Sequence, residues 1–178
     1  HLPESEMHHL RELAELEPGV AALEARSLLE ALPGADAHSR TLATRTLGVA
    51  LVKQGHYSEA QVTLEQALQK ADIRQDSAIK ADCLNQLALC AYHTNRFETA
   101  LTLAYKGLEA SRDAAKPLFE ADALQIIGLV DNNFGLHQDA LESFLAELSL
   151  LEVNEVSDKR KIMALNSAGV SYTYLKDF

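Results

Sequence analysis

Cysteine is almost missing from this 178-residue chain, which has only Cys83 and Cys90. They stand seven apart in a stretch of helical periodicity, on one face but two turns from each other. That is about 10 Å of axial rise, too far for a disulfide. Two buried free thiols in a reducing, cytoplasmic compartment are the expectation. Proline is scarce as well, with four residues. Pro18-Gly19 and Pro33-Gly34 read as turns, and Pro117 suits the first turn of a helix. No apolar run approaches the roughly 20 residues that span a bilayer, so no membrane segment is expected. No secretory signal is visible at the start, and the chain opens at His1 rather than Met, as a trimmed chain would. Basic charge is short, with 16 Lys and Arg against 26 Asp and Glu, a net −10. Such a chain repels phosphate backbones, so direct nucleic-acid binding is not expected.

Reaction-centre motifs are absent too. There is no G-x-x-x-x-G-K, G-x-S-x-G, H-E-x-x-H or C-x-x-C. His8 and His9 are adjacent and cannot share one helix face, so they read as a surface pair rather than a metal site. "NEVSDKRK" (154–161) reads as a solvated loop and helix start, with Asp158 near the helix N-terminus. The acidic residues scatter around helices with no acid–base pair singled out. We expect no enzymatic activity, no cofactor and no metal.

Alternation with the two-residue rhythm of a strand is missing throughout. Apolar positions step instead by three and four: Leu47, Ala50, Leu51, then Leu84, Leu87, Ala88, Ala91. This is helical periodicity. It predicts an all-α chain of nine helices, over roughly 4–16, 20–32, 38–54, 58–71, 76–94, 98–112, 117–134, 138–152 and 157–176. The short connections require antiparallel neighbours.

What the chain does have is a 40-residue beat, lengthened to 41 at the last step. Gly48, Ala88, Gly128 and Gly169 keep a small residue at one phase, although Gly inside a helix costs about 1 kcal/mol against Ala. A close helix crossing explains that. Gly55, Asn95 and Gly135 follow, residues that tolerate the left-handed conformation ending a helix. Then come rings that can plug the gap between two helices (Tyr57, Phe97, His137, Phe178), and then Ala60, Ala100 and Ala140. Leu64, Ala104 and Phe144 lie downstream, followed by Leu68, Leu108 and Leu148. One such helix pair cannot bury its apolar faces alone. Stacked pairs can, which predicts a solenoid.

These residues resemble the tetratricopeptide repeat (TPR). "TLGVALVKQGHYSEAQVTLEQAL" (46–68) is the nearest copy, followed by "QLALCAYHTNRFETALTLAYKGL" (86–108) and "IIGLVDNNFGLHQDALESFLAEL" (126–148). "NSAGVSYTYLKDF" (166–178) supplies the first half of another. The resemblance implies a single array over 1–178. It would hold a degenerate leading hairpin at 1–37, full repeats at 41–80, 81–120 and 121–161, and the first helix of a further repeat at 162–178. It implies a right-handed superhelix of antiparallel hairpins with a concave inner face. The copies exceed the minimal 34 residues. His137 replaces the usual ring and Glu147 stands where a small residue is common, so the third full copy is expected to pack less tightly. Long repeats of this kind resemble sensory and scaffold regions of bacterial signalling proteins, fused to an output domain.

Carried over from the family, the groove is lined by Arg45, Val49 and Lys53, then Asp82, Asn85, Leu89, Tyr92 and His93. Asp122, Gln125, Leu129 and Asn132 follow, with Asn166 and Tyr174 last. Asn85, Gln125 and Asn166 would form a ladder of amides, each able to donate to and accept from a peptide backbone. The other reading is that these amides are simply wetted or bond one another between hairpins. The basic set that clamps a C-terminal carboxylate tail is not reproduced, and a ligand of mixed or positive charge fits better. The last copy leaves Leu165, Ala168, Tyr172 and Leu175 without a partner helix. Either the natural chain continues, or this face pairs with a second copy in a homodimer.

Overall fold

The computed structural model describes residues 4–31, 37–154 and 156–176, with side chains from His9 onward. The turn read at Pro33-Gly34 and the ring of Phe178 lie outside the described residues. The described residues form nine helices and no strand: α1 (Glu4–Leu16), α2 (Pro18–Ala31), α3 (Ala37–Lys53), α4 (Tyr57–Arg74), α5 (Ser77–His93), α6 (Phe97–Asp113), α7 (Pro117–Asn133), α8 (His137–Val153) and α9 (Asp158–Lys176). None of them is long and apolar enough to cross a membrane.

The helix ends follow the 40-residue beat. Gly55, Asn95 and Gly135 have φ of 77°, 59° and 76°, the left-handed values expected of them. In each case the next residue donates its N–H to the carbonyl five back: His56 to Leu51, Arg96 to Ala91, Leu136 to Asp131. That bond closes the helix and turns the chain. Pro117 begins α7, as expected. Pro18 and Gly19 do not form a turn but the first turn of α2, leaving Glu17 alone between two helices. Pro at a first helical position loses no bond, because that N–H has no partner in any helix.

Two left-handed residues were not expected. Gln75 and Ala115 end α4 and α6 with φ of 55° and 50°. They too are 40 apart, and Asp76 and Lys116 close the same five-back bonds to Ala71 and Ser111. Neither residue type announces this conformation, which is why α4 was expected to stop earlier than Arg74. A non-glycine residue there carries about 1–2 kcal/mol of strain. Glycine removes the strain but adds entropy to the unfolded chain. Gln75→Gly and Ala115→Gly are each expected to stabilise by about 0.5–1 kcal/mol, read as a higher urea midpoint; an unchanged or lower midpoint contradicts this account.

Each helix packs on its neighbours in sequence, and the odd-numbered helices also stack in series, α1 on α3, α3 on α5, α5 on α7, α7 on α9. Among the described residues the even-numbered helices do not approach one another this way. The odd layer is therefore covered from more sides. From Thr41 to Val52, every residue of α3 except Leu42 is buried. Helix α4 buries a single stripe: Ala60, Leu64, Ala67 and Ala71. The stripe recurs in α8 as Ala140, Phe144, Glu147 and Leu151. The close crossings are real. A Cβ on Gly48 would sit 2.6 Å from Leu64 Cδ2, and one on Gly128 would sit 2.7 Å from Phe144 Cε1. Cys83 and Cys90 are buried free thiols, and burial pushes the Cys90 thiol up to about 11.

Candidate functional site

All fourteen expected groove residues fall on odd-numbered helices, but they do not form one continuous surface. Helix α1 covers the N-terminal half. Its Arg11 reaches across α3 to Asp82 on α5, with Nε 2.9 Å from Oδ2 and Nη2 3.1 Å from Oδ1. Arg45 Nε lies 3.5 Å from the same carboxylate. On the other side Arg11 Nη1 donates to Glu15 at 2.8 Å, and Glu15 meets Lys53 Nζ at 2.6 Å. Lys53, Glu15, Arg11, Asp82 and Arg45 thus make one alternating chain of charge over three helices. Burial alone would raise the Asp82 carboxyl. The Arg11 charge and hydrogen bonds, with Arg45 and Gln86, outweigh it and hold the carboxyl below its usual range. Glu15 is likewise held low by Arg11 and Lys53 against the cost of burial.

This corrects the expected surface at four positions. Arg45, Val49, Asp82 and Asn85 are buried, with Val49 and Asp82 wholly enclosed. Val49 packs in the core with Ala14 and Leu13 of α1. Asn85 donates from Nδ2 to the Phe119 carbonyl at 2.8 Å, holding the start of α7. Gly107 of α6 sits against its other end: a Cβ there would collide with Asn85 Oδ1. The ladder of three amides therefore loses its first rung. Gln125 is half-buried and Asn166 is exposed.

The C-terminal half stays accessible. Leu89, Tyr92, Asp122, Gln125, Leu129 and Asn132 are half-buried, and Lys53, His93, Asn166 and Tyr174 are exposed. The rings at the helix starts meet groups of the next pair as well as of their own. Tyr57 stacks on His93 at 5.0 Å and 13°, and His137 stacks on Tyr174 at 4.5 Å and 11°. Phe97 meets Tyr92 and Phe134 edge-on or tilted. His137 thus does the work of the ring it replaces. Its Nδ1 lies 2.9 Å from Asn132 Oδ1. Asn132 also donates from Nδ2 to Ser171 Oγ at 2.9 Å, joining α7 to α9. Asn133 donates to the Leu129 carbonyl at 2.8 Å and reaches Tyr92 Oη at 3.4 Å. A depression of about 310 Å³ beside this network is lined by Leu136, His137, Gln138, Tyr174 and Leu175, among others. A larger one, of about 800 Å³, lies by His38, Arg74 and Asp76 and includes none of the fourteen.

Three functionally placed residues escaped the sequence reading. Arg11 and Glu15 sit in a leading helix outside the 40-residue register. Arg160, in the charged run read as solvated, pairs with Asp122. Ala168, expected on an unpartnered face, is buried against Ala140 and Phe144, whereas Leu165, Tyr172 and Leu175 are exposed. Among the described residues no cluster of three metal-ligating side chains occurs. No protein-family model matches the chain, and no curated protein matches it either.

Proposed function

We propose that the chain is a TPR-like peptide- or protein-binding array, a right-handed superhelix of antiparallel hairpins whose odd-numbered helices form the inner wall. It acts in the cytoplasm as the sensor or scaffold of a bacterial signalling protein. The observation that carries this reading is the accessible strip on α5, α7 and α9. Leu89 and Leu129 supply apolar contact, and Tyr92 and Tyr174 are rigid rings. Gln125 and Asn166 are amides able to pair with a backbone, and Asn132 braces the strip through His137 and Ser171. Arg11 and Asp82 close the wall over α3 and the first half of α5, which supports a ligand seat in the C-terminal half.

Selection from a displayed random-peptide library, followed by titration of the selected peptides, tests this. Gln125→Ala and Tyr174→Ala are each expected to weaken binding about tenfold. Arg26→Ala, on an exposed face of α2, leaves it unchanged. Peptides whose binding ignores both strip substitutions would refute the site.

A second reading is self-association through α9, which would position a fused output domain. It is favoured by Leu165 and Tyr172, each 52% exposed, and by Gly169, over which nothing lies within 4 Å. In that case Leu175→Glu converts an oligomer to a monomer in sedimentation, and the strip substitutions are silent.

A further inference from the structure

The stripe position held by Ala67 in α4 and Gly107 in α6 is held by Glu147 in α8, and all three are buried. A carboxylate is thus enclosed where the other pairs place a methyl group or nothing. Glu147 is 1% exposed, and its Oε2 has no hydrogen-bond partner. One turn along, Leu151 packs with Ala121 of α7 and Ala164 of α9. Helix α8 packs on α7 and α9. The charged groups whose field reaches Glu147 are Asp122 of α7 and Arg160 of α9. Those two are paired with each other. The junction therefore holds two acids and one base, and the base is already taken.

We propose that Glu147 makes the seating of α9 on α8 proton-dependent, tight when its carboxyl is protonated and loosened when it ionises. Burial pushes this carboxyl up to about 7, with Arg160 opposing and Asp122 adding. A group raised in the folded state holds its full stabilisation below its free value of 4.5 and loses it as pH rises through about 7. Opening of the α8–α9 contact therefore grows by up to about tenfold per pH unit across that window, then levels off. The inference is independent of peptide binding, although α9 carries two of the strip residues, Asn166 and Tyr174.

Hydrogen exchange of the whole chain at pH 5, 6, 7 and 8, corrected for intrinsic rates, tests it. In the wild type the opening constant of α9 amides is expected to rise on the order of tens of fold between pH 5 and 7, while α3 amides hold steady. Glu147→Gln keeps the shape without the charge and is expected to stay at the tight level throughout. Glu147→Ala, which copies Ala67, serves if the amide fails to fold. A flat wild-type profile, or a slope that survives either substitution, overturns the proposal.

Discussion

Asp82→Ala is expected to cost about 3–5 kcal/mol and to release α1 first. The carboxylate is fully enclosed, and two guanidinium groups depend on it, Arg11 with 14% and Arg45 with 9% of the side chain exposed. Removing it leaves two nearly buried cations that cannot shed their protons, so the loss exceeds that of an ordinary ion pair. The release of α1 follows from the geometry. Its backbone packs on α2 and α3, and Arg11 is its bridge to α5. Urea unfolding should give the total loss, and hydrogen exchange should show α1 amides unprotected before those of α5. Arg11→Met is expected to cost less, because Asp82 keeps Arg45. The two changes should be strongly non-additive, since they break the same contact. There is a pH signature as well. A carboxyl held below its free value of 3.8 stabilises above that value, and this contribution is lost as pH falls through the lower folded value. Asp82→Ala should therefore flatten the acid limb of the stability profile. A loss below about 1 kcal/mol, or an unchanged acid limb, would mean the network is ornamental.

This network and the Glu147 junction explain how far the site could be read from the chain. Helices were legible because their ends are written in residue types. Gly55, Asn95 and Gly135 mark three turns, and the apolar steps of three and four mark the faces between them. The end of α4 was not, because Gln75 is forced left-handed by the closing of the chain and carries no turn signal of its own. The groove was projected from register, and register says which face of a helix points inward. It does not say what else lies on that face. Asp82 and Asp122 hold equivalent positions, yet one is sealed by Arg11 from α1 and the other is still partly exposed beside Arg160. The difference comes from a leading helix with no repeat pattern and from a charge run that looks like loop. Glu147 was visible as an odd residue at a small-residue position. Its enclosure, with an unpaired oxygen, belongs to packing and could be seen only there.

Register also makes an expectation of opposite signs for one substitution. Gly128 and Gly169 stand at the same phase of the beat, and alanine gains about 1 kcal/mol over glycine in a helix interior. At Gly169 nothing lies within 4 Å of the new methyl, so Gly169→Ala is expected to keep that gain. At Gly128 the methyl would meet the Phe144 ring at 2.7 Å and 2.8 Å, and that ring is wholly buried among Ala140, Ala168 and its neighbours. It has no free space to swing into, so overpacking of about 1–3 kcal/mol outweighs the propensity gain, and Gly128→Leu costs more. The pairs across each crossing show the compensation at work: Gly48 faces Leu64, and Gly128 faces Phe144. At the matching positions of the middle pair, Ala88 and Ala104 are both small and both buried. Shrinking the ring should therefore rescue the methyl. Gly128→Ala with Phe144→Leu is expected to be more stable than the sum of the two single changes predicts, by about 1 kcal/mol or more in a double-mutant cycle. Strict additivity, or a stabilised Gly128→Ala, would show that the crossing is looser than its geometry and that the glycine there is not set by the neighbouring ring.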